Sequence, residues 1–166
     1  MHTFRSFIFS LLGVLFCLAS QAIEIPQEHI FVFERSTNTN YVCYDINLQD
    51  GKFCQKAPLK YYWVLDEETR LGELTFFEKK VAFGIKVISA NENEARVHMT
   101  AYKNLVIRVC KHKGKWVGIV KLHGHELILD KMFAQMKQSI YPRCEYVDIY
   151  GTDIATGKKR RERIMA

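Results

Sequence analysis

Residues 23–166 read as an all-β chain, one antiparallel barrel or two-layer sandwich of about eight or nine strands with one short helix. Three observations predict this. Apolar residues recur at every second position, as in Ala95, Val97, Met99 and Ala101 or Val42, Tyr44, Ile46 and Leu48, which is the period of a half-buried strand. These segments are rich in β-branched and aromatic residues, which suit a pleated surface. Turn-forming groups such as Asp50-Gly51, Asn91-Glu92-Asn93, His112-Lys113-Gly114 and Ala155-Thr156-Gly157 separate them.

The chain opens differently. Arg5 precedes an apolar run from Phe7 to Leu18, and Ser20-Gln21-Ala22 places small residues at a cleavage point. That pattern predicts a secretory signal peptide over residues 1–22, cut near Ala22, and an exported product, periplasmic or secreted. The run is shorter than the ~20 residues a membrane-spanning helix needs, so no transmembrane segment is expected in the mature chain. Cys17 follows Phe16, where a lipid-anchored cysteine would need a small neighbour.

Strands are then expected at Ile30–Glu34, Tyr41–Leu48, Leu59–Leu65, Phe83–Ala90, Ala95–Ala101, Leu105–Lys111, Trp116–Leu122 and Glu145–Tyr150. Two hairpins follow, 83–90 with 95–101 and 105–111 with 115–122. Leu71, Leu74, Phe77 and Val81 fall at helical spacing, so the short helix is placed near 70–81. Residues 126–138 fit strand or helix; strand followed by loop is the preferred reading. Residues 23–166 show no linker, repeat or composition shift and are read as one domain.

The net charge of +6 is concentrated at the C-terminus. Lys158, Lys159, Arg160, Arg161 and Arg163 carry five positive charges, offset by Glu162. Residues 23–157 hold 18 Lys/Arg against 17 Asp/Glu. A nucleic-acid-binding domain needs a basic face on its folded body, so that class is set aside, and the basic end (158–166) reads as solubilising. Cys43, Cys54, Cys110 and Cys144 are disulfide candidates in an exported protein, with three possible pairings.

The chain lacks a nucleophile elbow, a zinc-protease helix motif, a phosphate-cradling loop and a dinucleotide fingerprint. His123-Gly124-His125-Glu126 is the nearest approach to a metal site. It reads first as a Gly-centred turn between strands with two exposed imidazoles; if extended, it would point His123 and His125 to one side, which makes a secreted hydrolase or metal-dependent enzyme the alternative function. Glu34, Asp45, Glu73 and Glu78 are carboxylates without a fixed separation, and no glycosidase role is assigned to them. The run Arg35-Ser36-Thr37-Asn38-Thr39-Asn40 ends an apolar strand abruptly. Its polar side chains can close turns, or Arg35, Asn38 and Asn40 can form a polar rim at one barrel mouth, offering an Arg fork to an anionic or carbohydrate-like ligand. Tyr61-Tyr62-Trp63 must turn at least one ring outward, and Trp63 is the candidate to stack on a ligand.

The stretch from Phe31 to Tyr44, with Lys60-Tyr61-Tyr62-Trp63-Val64, Glu73-Leu74-Thr75, Ala82-Phe83-Gly84, Gly151-Thr152-Asp153 and Thr156-Gly157, resembles the domain of unknown function 4833 family of exported bacterial proteins. The resemblance runs from about residue 30 to 164. It implies export and a single domain, and supplies no activity, cofactor or site residue. The expected function is therefore a non-catalytic periplasmic or secreted β module that binds a small ligand or an envelope partner. Arg35, Asn38, Asn40 and Trp63 are the contact candidates, and no cofactor is expected.

Overall fold

The computed structural model describes residues 29–66, 68, 70–137 and 143–166. The expected signal peptide and its cleavage point lie outside the described residues. Strands dominate. β1 (Phe31–Arg35) and β2 (Asn38–Ile46) form a hairpin, and β3 (Leu48–Gln49) pairs with β4 (Lys52–Phe53) in a small separate ribbon. β5 (Leu59–Leu65) and β6 (Arg70–Gly72) follow. A single helical turn, α1 (Phe76–Glu78), runs into a π-helical turn at Lys79–Phe83. The rest is strand: β7 (Ile85–Ala90), β8 (Glu94–Met99), β9 (Tyr102–His112), β10 (Lys115–Leu122), β11 (His125–Lys137), β12 (Arg143–Asp153) and β13 (Lys159–Met165).

The large sheet runs β6-β5-β2-β1-β11-β10-β9-β8-β7, with β12 also on β11 and β13 on β12. β12 pairs with β11 along nearly its whole length, from Leu127 to Lys137. The opposite edge of β11 is therefore shared. β10 takes Ile128 back to His125, antiparallel, and β1 takes Lys131 to Ala134, parallel. A register shift between Leu129 and Lys131 marks the division. Two wings diverge from that edge, β1-β2-β5-β6 and β10-β9-β8-β7, and curl towards each other.

Where they meet, a Cβ on Gly118 of β10 would lie 3.2 Å from both Ile30 and Ile107. Phe31 and Tyr44 stack in this core at 4.3 Å, and Tyr44 Oη donates to the Phe83 carbonyl at 2.8 Å. That bond satisfies the one polar atom of a fully buried tyrosine. Phe53 of the small ribbon stacks on Trp116 at 4.7 Å.

The all-β class and both expected hairpins are present. Three expectations are corrected. The nine-strand path is a half-barrel and does not close into a barrel. Eleven strands share the large sheet rather than eight or nine, because β12 and β13 extend it beyond β11. The helix near 70–81 shrinks to 76–83, because residues 70–72 pair with β5 as β6. Residues 126–137, ambiguous in sequence, belong to the long strand β11, whose partners on both edges outweigh helical spacing. Among the described residues no helix is long and apolar enough to cross a membrane.

The basic C-terminal end is itself a strand. Arg161 and Arg163 both donate to Asp148 across the β12–β13 pair, at 2.6 and 2.8 Å, and Arg160 reaches Asp153 at 3.1 Å. Its charges thus meet carboxylates on the neighbouring strand. Asp153 also accepts from the backbone and hydroxyl of Thr156, closing the turn at 153–157.

The Arg163 bond holds Asp148 below its usual carboxylate range, with burial opposing and Arg161 reinforcing it. A depressed carboxyl stabilises the fold above its unfolded pKa, and the contribution fades as pH falls through that range and below. Asp148→Asn should therefore lower the urea midpoint at pH 7 and flatten its change between pH 7 and about pH 3; an unaltered pH dependence would count against this ion pair. A second test concerns Gly84, where a Cβ would sit 2.0 Å from the Lys79 carbonyl oxygen. Its φ of −63° suits any residue, so the obstacle is steric. Gly84→Ala should cost about 2–4 kcal/mol in urea unfolding, and a loss under about 0.5 kcal/mol, the scale of an unremarkable surface change, would refute the close approach.

Candidate functional site

Alternation along β1 decides where its last residue points. Phe31 and Phe33 face the core, and Arg35, two positions on, shares that side at the open end of the sheet. Its guanidinium lies over the Trp63 ring at 4.9 Å and the Phe83 ring at 5.5 Å. The hairpin tip beyond it is pinned to β11, with Ser36 N donating to the Ala134 carbonyl at 3.0 Å and Ser36 Oγ accepting from Met136 N at 2.9 Å. Arg35 is thus held by its backbone on a rigid corner.

The guanidinium is short of partners. Arg35 Nε is buried and makes no hydrogen bond, and no ion pair to Arg35 occurs among the described residues. Burial draws its pKa down, while the charge of Glu78 draws it back up. Glu78 is committed elsewhere. With Thr75 it forms a capping box, accepting from Thr75 N at 2.7 Å and Thr75 Oγ1 at 2.9 Å while Glu78 N donates back to Thr75 Oγ1 at 3.2 Å. Burial pushes the Glu78 carboxyl up, but the Thr75 bonds, the Trp63 indole N–H and the Arg35 charge outweigh it, leaving it below the usual range.

These groups border a cavity of about 290 Å³ with mainly apolar walls: Phe33 and Phe83, Phe77 and Val81 of the helical turn, and Ala134 and Met136 of β11. Arg35 is the one cation in the lining. Glu78, Tyr102 and Cys144 also line it, Tyr102 Oη donating to Cys144 Sγ at 3.2 Å. A groove of about 750 Å³ lies alongside, between the start of β9 and the end of β13. In its lining His123 and Arg163 already bond Glu162 and Asp148, and the remaining cation, Lys103, is exposed to water, unlike the half-buried Arg35.

The structure brings Arg35 and Trp63 together and separates the two asparagines from them in role. Asn40 Oδ1 accepts from Asp66 N at 3.2 Å, tying β2 to the turn after β5. Asn38 stands opposite Arg35 in the hairpin register and is exposed. Trp63 is only 7 % exposed, so it forms the floor beneath the guanidinium rather than an outward stacking platform.

The Gly-centred turn is present and the extended alternative, with both imidazoles to one side, is not. His123 and Gly124 have φ of 47° and 86°, forming the tight turn between β10 and β11 rather than an extended segment. The rings go to separate carboxylates, His123 Nδ1 to Glu162 at 2.8 Å and His125 Nδ1 to Asp153 at 2.9 Å. Among the described residues no three His, Cys, Asp or Glu side chains gather into a group able to hold a metal ion.

The disulfide expectation is also corrected. Cys43, Cys54, Cys110 and Cys144 are free thiols, and no two approach disulfide distance. They lie on different parts of the sheet, Cys43 on β2, Cys110 on β9, Cys144 on β12 and Cys54 after β4.

Sequence reasoning passed over His29, which joins Cys43 to Asp45. Cys43 Sγ lies 3.4 Å from His29 Nε2, His29 Nδ1 2.7 Å from Asp45 Oδ1, and Tyr62 Oη donates to Asp45 Oδ2 at 2.6 Å. The order is that of a thiol triad, but the sulfur is fully buried, and burial with the nearby Asp45 charge pushes its pKa up to about 12. Such a sulfur stays a thiol at neutral pH and has no surface to present to a substrate. The cluster ties β2, β5 and the chain before β1 together. Also passed over were Glu78 as a charge near Arg35, and Phe83, whose adjacency to Gly84 was the available signal.

In unreduced, denatured protein the four cysteines of residues 29–166 should all titrate as thiols with an aromatic disulfide reagent. In the native state at pH 8 Cys43 should react at least about a hundredfold more slowly than Cys54; a missing pair of thiols, or a fast Cys43, would contradict the arrangement.

The family model described as Domain of unknown function (DUF4833) matches residues 31–163. No curated protein and no solved structure matches the chain.

Proposed function

We propose a function for a chain that belongs to the DUF4833 family: it is an exported, non-catalytic β module whose Arg35 cavity binds a small organic anion with an apolar body. One observation carries this reading, the half-buried guanidinium that faces a mainly apolar cavity with an unbonded Nε and no ion pair, the Glu78 carboxylate in the same lining being held by Thr75. Withdrawing a charge from water is costly unless it is paired, and here the protein supplies aromatic faces but no carboxylate within bonding distance. A ligand anion would complete the pair through charge-assisted hydrogen bonds, and its apolar part would lie against Phe33, Phe83 and Met136.

The cavity lies near the lower end of the ~300–1,000 Å³ typical of small-molecule sites, which suits a short acid rather than a large cofactor. Export rests on the Arg5–Ala22 pattern and suits a module that meets its ligand outside the cytoplasm. The chemistry at hand supports binding over catalysis, since Cys144 is hydrogen-bonded to Tyr102 and Cys43 is sealed in a separate cluster.

Decanoate and its uncharged analogue decanol serve as probes in isothermal titration. The protein should prefer decanoate by at least about tenfold, and Arg35→Gln should abolish that preference. Removal of an uncompensated cation should leave the thermal midpoint of the free protein unchanged or raise it, which a merely structural arginine would not do. Equal binding of decanoate by the wild type and Arg35→Gln, or a large loss of stability in the variant, would overturn the assignment.

A further inference from the structure

Phe76 and Phe77 are the feature that the cavity alone leaves unexplained. Their side chains are 78 % and 69 % exposed, and Val81, on the following π-helical turn, is 47 % exposed. Adjacent exposed phenylalanines are costly on a soluble surface, and a flexible loop would fold them inward. This turn is fixed. The Thr75–Glu78 capping box closes its start, Tyr44 Oη holds the Phe83 carbonyl, Thr100 Oγ1 donates to the Lys79 carbonyl at 3.2 Å, and Ala101 N donates to the Ala82 carbonyl at 3.1 Å. The rings are held out by the same bonds that keep Phe83 in.

We infer that the turn from Phe76 to Val81 is a wedge that inserts into an anionic lipid bilayer. Resting on the reading of the cavity above, it is also the doorway through which an anionic amphiphile from that bilayer reaches Arg35. Two observations select a bilayer over a protein partner. Three apolar side chains make a patch far below the ~800 Å² per partner of a stable protein interface, yet of the kind that anchors a peripheral protein at a membrane surface. Cations accompany the rings: Lys79 and Lys80 occupy the same turn, with Lys80 Nζ 5.9 Å from the centre of the Phe76 ring. Basic groups beside exposed aromatics match acidic headgroups above an acyl layer. The connection to the cavity is direct, because Phe77 and Val81 are at once exposed and part of its wall.

The test uses protein purified after export and sedimentation with phosphatidylcholine vesicles, pure or containing a minority of phosphatidylglycerol. Binding should require phosphatidylglycerol and weaken with salt. Phe76→Ser, which removes a ring outside the cavity lining, should reduce vesicle binding at least about tenfold while leaving the affinity for dissolved decanoate unchanged. Lys79→Gln with Lys80→Gln should remove the preference for phosphatidylglycerol. Arg35→Gln should still sediment with vesicles but fail to extract a fluorescent fatty acid from them.

Equal sedimentation of Phe76→Ser and wild type, or no sedimentation of the wild type with either vesicle, overturns the wedge even if the decanoate experiment succeeds. Loss of the decanoate preference as the sole failure overturns the cavity reading and leaves the wedge standing. Vesicle binding by the wild type without fatty-acid extraction overturns the doorway.

Discussion

The divided edge of β11 is the constraint on which the architecture rests. A strand has two hydrogen-bonding edges, and β12 occupies one of them almost completely. The other is shared end to end by β10 and β1, one antiparallel and one parallel. Two strands in line on one edge cannot remain in one plane once each carries further twisted strands, so the sheets they begin must separate. The register shift at Leu129–Lys131 accommodates that separation. The wings then curl towards each other and bury Ile30, Phe31, Tyr44 and Ile107 between them. Without the parallel β1–β11 pairing there would be a meander with one face wet and no enclosed core.

The same geometry creates the cavity. Because the wings spread from a shared strand and never join at their far edges, one end of the half-barrel stays open. β1 ends there, and its alternation delivers a charged residue to a position that alternation had given to phenylalanines. The turn at 76–83 roofs this end, pinned by Tyr44 and Thr100 from the two wings. Arg35, Trp63, Phe83 and Glu78 consequently form one assembly drawn from β1, β5 and the turn, in which the rings hold the cation and Thr75 holds the carboxylate. Arg35 thus lies against aromatic faces, with one nearby carboxylate, Glu78, that makes no ion pair with it.

Much of the fold was legible in the sequence. Alternating apolar and β-prone residues located β1, β2, β5, β7 to β10 and β12, because most of these strands have one side against the core and one towards water. Legibility failed where tertiary partners override local preference. Residues 126–137 carry both helical and strand spacing, and only neighbours on both edges resolve them. Leu71, Leu74, Phe77 and Val81 suggested a continuous helix, yet residues 70–72 were recruited by β5 and Phe77 was turned outward. At His123-Gly124 the turn expected from the glycine did form, with positive φ at both residues, because the two strands they join pair directly.

For the site, the abrupt change from Ile30–Phe33 to polar residues did signal Arg35, and the aromatic cluster signalled Trp63. Their contact could not be read, since they lie on different strands with β2 between them. His29, Glu78 and Phe83 escaped for the same reason, each acting through residues distant in sequence. The disulfide expectation failed likewise, because four cysteines set only the number of possible pairings, and the sheet set the distances.

The order of residues alone was enough to specify that this chain builds sheets, where most strands lie, and that a positively charged residue closes the first apolar strand. These are local properties, set by side-chain period and turn chemistry within a few residues. Three-dimensional pairing set the fork at β11 and its open form, the meeting of the basic C-terminal strand with Asp148 and Asp153, and the position of Arg35 over Trp63 without an ion pair. Those outcomes depend on which strand edges meet, and edge pairing joins residues up to about a hundred positions apart, as Ser36 and Met136 do, a separation that no local pattern encodes.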